Sequence, residues 1–209
     1  MLVASFCENK SEYIPDAFYD ILPIRCSEAS CGYPMVMSET LSNLQCSNAY
    51  CPRKTARRMF ELLKFIGITN ITELSLKNYI VNNGITNVFS IFKYDFDTNG
   101  LLDNDLTTLT CKELSKKLKQ NKCFTLVDYI RAAHLPYLQD SVDIIFNKVT
   151  DLNSFYENLS RSGYLYLCEL LDIDTKKDDL VSVRVLKLVD IFKTYKDELL
   201  EGLHYIELR

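Results

Sequence analysis

Four cysteines in two identical spacings constrain this chain more than any other feature. They run Cys26-x4-Cys31, then fourteen residues, then Cys46-x4-Cys51. Each pair sits on a tight turn, with Gly32 following the first and Pro52 the second. Between them, GYPMVMSETLSNLQ reads as two short strands around a turn. Two thiolate pairs brought together by a short hairpin make the closed tetrahedral site of a structural Zn²⁺. Residues 26–52 therefore read as a zinc ribbon or knuckle with Cys26, Cys31, Cys46 and Cys51 as ligands. The competing reading is two disulfides, or four unrelated thiols. Of the eight cysteines, the other four (Cys7, Cys111, Cys123 and Cys168) are scattered. The last three lie in apolar or helical surroundings, where a free Cys behaves as a small hydrophobe. A secreted disulfide framework would use most of the set and follow a signal peptide. The start, MLVASFCENK, has no basic head before an apolar stretch. The expectation is a reduced, intracellular protein. An open catalytic zinc would usually add a His ligand, and neither His134 nor His204 lies near in sequence.

After Cys51 the pattern turns helical and largely stays so. Met59, Leu62, Leu63 and Ile66 recur on one helical face, and Leu74, Leu76, Tyr79 and Ile80 lead to a stop at Asn83-Gly84. Val88, Ile91 and Phe92 open another short helix. Further short helices are expected at 114–118, 126–133, 141–146, 152–159, 165–171 and 183–200. The chain has only 6 Gly and 5 Pro in 209 residues, against average usage of roughly 7% and 5%. That scarcity disfavours an all-β fold rich in tight turns. An apolar share of 47% with 25% charged residues is ordinary for a globular protein. No run approaches the roughly 18 apolar residues of a membrane span, so no membrane contact is expected. The fold class is mainly α behind a small zinc module. The domains are a lead segment (1–25), the zinc module (26–52), a first helical hairpin region (53–110) and a second region (111–209). The acidic stretch YDFDTNGLLDNDL is the linker candidate between the last two.

With a net charge of −4, any grip on nucleic acid must come from a local basic patch. Arg53, Lys54, Arg57 and Arg58 open the helix after the last cysteine, where cations and backbone N–H groups can both face phosphate. The alternative is a solvated helix start that neutralises nearby acids. Lys112, Lys116, Lys117, Lys119 and Lys122 form a second positive stretch, of which Lys116 and Lys117 are the candidates. Tyr129, Tyr137, Tyr164 and Tyr166 read as packing aromatics. Asp95-x-Asp97-x-Asn99-Gly100 imitates a calcium loop, but its twelfth position is Leu106 where a bidentate Glu is required. With two His and no nucleophile–base pattern, no catalytic site is evident and no small-molecule substrate is indicated.

The order of these parts resembles the zinc-finger and helix-hairpin-helix region of NAD-dependent DNA ligases. IRCSEASCGYPMV and LQCSNAYCPRK are similar to that family's C…CG and C-x-N-x-x-CP elements. Phe60 to Lys77, followed by YIVNNGITNVFSIF, looks like its first helix-hairpin-helix region. Leu114-Ser115-Lys116-Lys117 resembles its I-x-x-SK element, LVDYIRAAHLPYLQDSVDIIF its next hairpin, and VLKLVDIFK its final helix. The resemblance covers roughly residues 20–200. It implies a tandem helix-hairpin-helix scaffold, a structural zinc and DNA as partner. Where the family has hairpin glycines, this chain has Glu73-Leu74-Ser75, Gln139-Asp140 and TKKDDLVS. A Cβ and a carboxylate at such a turn keep backbone N–H groups from phosphate, so weak, sequence-independent binding is implied. The family's adenylylation motif, K-x-D-G, is approached only by Lys93-Tyr94-Asp95-Phe96, without a surrounding nucleotidyltransferase domain. The expectation is a non-catalytic DNA-binding or DNA-machine subunit. Two alternatives stand beside it: an interaction scaffold in a replication or transcription complex that has lost DNA binding, and the accessory half of a split ligase. The abundance of Lys, Asn, Ile, Tyr and Phe suits an AT-rich genome such as that of a virus or phage, which would place the protein in a cytoplasmic, nucleoid or viral replication or transcription complex.

Overall fold

The computed structural model describes residues 24–37, 43–93, 108–174 and 179–209. They belong to two compact units, Met1–Cys51 and Pro52–Arg209. Both helical regions expected from the sequence, 53–110 and 111–209, fall within the second unit. Residues 1–23 of the lead segment, the linker, the calcium-loop imitation, Tyr94 to Phe96 and the start of TKKDDLVS (175–178) lie outside the described residues.

The first unit holds an antiparallel hairpin of β1 (Met35–Met37) and β2 (Leu44–Cys46), in the register Met35↔Cys46, Val36↔Gln45 and Met37↔Leu44. The two strands expected between the cysteine pairs are therefore present. An antiparallel bridge between Arg25 and Pro34 continues the ladder toward the first cysteine pair.

The second unit is mainly helical. Its first helix, α1 (Pro52–Phe65), starts on a proline, whose missing N–H and fixed φ suit the first helical position. Its buried face is Ala56, Met59, Leu62 and Leu63. Next, α2 (Glu73–Asn83) is capped by Thr72, whose side chain accepts from Ser75 N. It stops as expected at Gly84, whose φ of 60° is a left-handed conformation that costs glycine least. The short helix expected next is present as a 3₁₀ helix (Val88–Lys93). Then follow α3 (Thr108–Gln120), β3 (Cys123–Phe124), α4 (Leu126–Ala132), a 3₁₀ turn (Gln139–Ser141), α5 (Val142–Phe146) and α6 (Leu152–Leu170). Last come α7 (Asp179–Thr194), α8 (Lys196–Gly202) and β4 (Glu207–Leu208). Two breaks divide the longest apolar patterns. Ser162 leaves helical geometry (φ −149°, ψ 45°) inside α6, and Tyr195 (φ −100°, ψ 10°) separates α7 from α8.

The core of this unit is aromatic. Phe89 stacks on Tyr129 at 4.4 Å, and Phe155 meets Phe146 at 5.1 Å and Phe192 at 4.9 Å. Tyr129 donates its hydroxyl to Leu199 O at 2.6 Å. A Cβ on buried Gly202 would run into that hydroxyl and the Phe89 ring, so only glycine fits there. β3 pairs in parallel with β4, tying the last residues back beside Phe124. Arg58 and Glu198 form an ion pair at 2.8 Å, both nearly sealed from solvent. No helix among the described residues is long and apolar enough to cross a membrane.

Candidate metal centre and the basic helices

The four cysteines expected as ligands converge. Their sulfurs all lie within 4.8 Å of one another, with Cys31–Cys46 at 3.5 Å and Cys26–Cys51 at 3.7 Å. A tetrahedral ion with metal–sulfur bonds of about 2.3 Å holds its sulfurs about 3.8 Å apart. The cluster is thus already at the spacing that a single ion needs, and the four thiols can hold one.

Local backbone bonding explains the convergence. Cys26 N donates to Tyr33 O at 2.8 Å, and both Cys31 N (2.8 Å) and Gly32 N (3.3 Å) donate to Glu28 O. These bonds fold 26–32 into a knuckle that aims both thiols the same way. On the other side, Ser47 N donates to Pro34 O at 2.9 Å and Cys51 N to Asn48 O at 3.4 Å, forming the matching turn. Cys46 and Cys51 are buried, and Cys26 and Cys31 are half-buried.

The thiols are electrostatically unequal. Desolvation pushes Cys31 up, but hydrogen bonding from the Tyr33 backbone, from the Asn48 side chain and from the neighbouring thiols outweighs it and brings the group down to about 7. Cys46 moves the other way: burial raises it, and the facing thiols of Cys31 and Cys26 add to the rise. Such mutual repulsion between thiolates is what a bound cation relieves.

The cations expected to meet phosphate divide among three situations. Arg53 is exposed and Lys54 half-buried in the first turn of α1, which contains no acidic residue. Arg57 is exposed but engaged, with Glu61 at 2.9 Å and Glu73 at 3.1 Å. Arg58 must be withdrawn from the set. It is only 4% exposed, its guanidinium forks onto Glu198 at 2.8 and 3.1 Å, and its Nε donates to Ala133 O at 3.0 Å. Its other face lies over the Tyr195 ring at 4.4 Å. Arg58 is a core residue and cannot reach a phosphate.

Lys116 and Lys117 are exposed on α3, and Lys117 donates to Gly67 O at 2.8 Å. Gly67 follows the end of α1, whereas Arg53 opens it. At 1.5 Å per residue, these two groups of cations sit about 20 Å apart. They form two small positive sites, not one patch.

The expected hairpin turns also differ. Glu73-Leu74-Ser75 is not a turn but the first turn of α2, with Ser75 buried beneath its Thr72 cap. Glu73 there answers Arg57 instead of opposing a phosphate. Gln139 and Asp140 occupy a 3₁₀ turn, where Gln139 Nε2 contacts His134 Nδ1 at 3.1 Å. Burial lowers the His134 pKa, and because an amide nitrogen can only donate, Nδ1 is the acceptor in this contact. Three helix starts are closed by their own side chains: Thr72 on α2, Thr125 on α4 and Asp151 on α6. Hydrogen bonds from the Ser154 side chain and backbone, then from Asn153 N, hold the Asp151 carboxyl below its ordinary value. The tyrosines fall as packing groups in part: Tyr129 is fully buried, Tyr164 bonds Ser182 at 2.9 Å and Tyr166 meets Phe155 at 5.8 Å, while Tyr137 is exposed.

Fold and cluster together define a mainly helical chain with a four-thiol cluster, able to hold a metal ion, ahead of its helices. Comparison of the sequence with protein-family models and with curated proteins finds no match.

Proposed function

We propose that the chain is a non-catalytic, zinc-containing subunit of a DNA-handling assembly, with Zn²⁺ held for structure by Cys26, Cys31, Cys46 and Cys51. The observation that carries the reading is the closed four-sulfur cluster, followed directly in sequence by a helix that opens on Pro52, Arg53 and Lys54 with no acid in its first turn. Four thiolates complete a tetrahedral shell and leave no position for a reacting water, so the metal's role is to hold the fold. A resemblance to the zinc and helix-hairpin-helix region of NAD-dependent DNA ligases supports the DNA assignment.

On this reading contact with DNA is weak, independent of sequence and carried by Arg53 and Lys54, with Lys116 and Lys117 as a second site. Each phosphate neutralised contributes about 0.9 to the slope of log K against log salt. Changing Arg53 and Lys54 together to Gln should flatten the slope by about one to two, measured by fluorescence anisotropy on nicked, duplex and single-stranded DNA. Arg58→Gln is not a test of this surface, because Arg58 is buried. Absence of binding to all three DNAs at low salt would move the assignment to a protein-interaction scaffold. That second reading draws support from the self-capped helix starts at Thr72, Thr125 and Asp151 and from the engagement of Arg57 by Glu61 and Glu73.

No self-adenylylation is expected of the chain alone with NAD⁺ or ATP, since its sequence lacks a K-x-D-G motif. Intact-mass measurement after incubation decides it, and an adenylate on Lys93 would refute it. Nick sealing that appears only when a separate nucleotidyltransferase polypeptide is supplied would instead make the chain the accessory half of a split ligase.

A further inference from the structure

We propose that Asn48, which is not a ligand, sets how tightly the four-cysteine centre keeps its ion, by donating its side-chain N–H to the Cys31 sulfur. The inference rests on the metal reading above and adds to it a positioning residue outside the ligand set.

Asn48 touches both halves of the centre. Its Oδ1 accepts from Tyr50 N at 2.9 Å, closing an Asx turn within the Cys46–Cys51 knuckle. Its backbone carbonyl accepts from Cys51 N at 3.4 Å in the same knuckle. Because the oxygen end of the amide is fixed by Tyr50 N, the nitrogen end must face the other way. There Nδ2 meets Cys31 Sγ, on the opposite knuckle, at 3.5 Å. The assignment of O and N in this amide is therefore dictated by its partners.

The chemistry of that contact is directional. Four thiolates around a divalent cation leave negative charge on the sulfurs, and a donor aimed at one of them stabilises it. The same donor makes the sulfur a poorer base, so protons compete less well for it. Asn48 is half-buried, which keeps water from supplying an equal donor. An aspartate would preserve the turn but turn a carboxylate oxygen on the thiolate. A serine would preserve the turn and fall short of Cys31. Loss of such an outer-shell partner typically lowers metal affinity by about 10–100-fold.

The test uses the reduced full-length chain and its Asn48→Ser and Asn48→Asp variants. Zn²⁺ affinity is measured by competition with a chromophoric chelator, and Co²⁺ is added in place of Zn²⁺ to read the sulfur-to-metal charge-transfer band. Both variants should still take up one ion at saturation, with affinity lowered about 10–100-fold. The Co²⁺ band should move to lower energy, because an unsupported thiolate gives up electron density more readily. Both side chains can still accept from Tyr50 N, so a residue needed only for the turn would leave affinity and band at their wild-type positions. That result overturns the proposal. A wild-type chain that takes up neither Zn²⁺ nor Co²⁺ fails at the earlier step and overturns the metal centre itself.

Discussion

Changing Glu198 to Ala is expected to destabilise the helical unit by about 3–5 kcal/mol, the usual consequence of removing one partner of a buried ion pair. The substitution strands the Arg58 guanidinium, whose side chain is 5% exposed, without the carboxylate that takes two of its N–H groups. It also removes the acceptor of Val88 N, which donates to Glu198 Oε1 at 3.0 Å, at the start of the 3₁₀ helix. One carboxylate thus connects α8 to α1 and to the 89–92 aromatic segment. Two features of Arg58 persist, its bond to Ala133 O and its stacking on Tyr195, but neither neutralises a charge. A loss of this size is about a fifth or more of the roughly 5–15 kcal/mol typical of a domain. Denaturant unfolding followed by far-UV circular dichroism should show the midpoint falling with the slope retained. The pair as such need contribute little: the double change Arg58→Met with Glu198→Leu should recover much of the loss, since no charge is left buried. Arg58→Lys should not rescue, because an ammonium cannot reproduce the two-pronged contact. A cost below about 1 kcal/mol for Glu198→Ala would contradict the buried pairing.

That pair also shows where sequence reading stops. The face of α1 was legible from the spacing of Met59, Leu62 and Leu63, and the stop of α2 from Asn83-Gly84, because both signals are local. Arg57 and Arg58 are adjacent letters with opposite fates. The clue lies in the helical period: Arg58 falls on the stripe of Thr55, Met59 and Leu62, all buried, while Arg57 falls beside Glu61. A basic residue on an apolar stripe signals a buried partner, but its partner lies 140 residues away and nothing local points to it. The two-residue strands β3 and β4 are too short for an alternating pattern to register. Tyr195 interrupts its helix without Pro or Gly, so the pattern from 183 to 200 read as one helix, whereas the break at Ser162 stands beside Gly163, between the helices expected at 152–159 and 165–171. The convergence of the four cysteines was legible, since thiol pairs at fixed spacing allow few alternatives. Asn48 was visible in sequence only as the N of the C-x-N-x-x-CP element; which way its amide faces is set by Tyr50 N and Cys31 together.

Stripping the metal should unfold the first unit while the second stays folded. The reason is what its described residues lack. Among them only Cys46 (7% exposed) and Cys51 (1%) are buried, and both are candidate ligands. The regular structure of those described residues amounts to two three-residue strands and a bridge, and an isolated hairpin of that kind is marginal at best in water. On the proposed metal reading an ion and these sulfurs would stand in for an apolar core, and structural zinc in such modules contributes roughly 10–16 kcal/mol of apparent binding energy near neutral pH. The second unit keeps its own core around Tyr129, Phe89, Phe155 and Phe192. With excess chelator and reductant, the amide resonances of 24–37 and 43–51 should collapse to unfolded positions, while the helical signal and its melting temperature persist. Replacing Cys46 with Ser should give the same split without chelator. Uptake exchanges thiol protons for the ion. Cys46 is pushed up by burial and by its neighbours, so it still carries a proton at neutral pH when the ion is absent. Binding should accordingly release acid and weaken as pH falls, most steeply below about 7, the value to which Cys31 is lowered. Unchanged spectra after full metal removal would mean that the hairpin is held by something other than an ion. Simultaneous loss of the helices would mean instead that the two units depend on one metal for their stability.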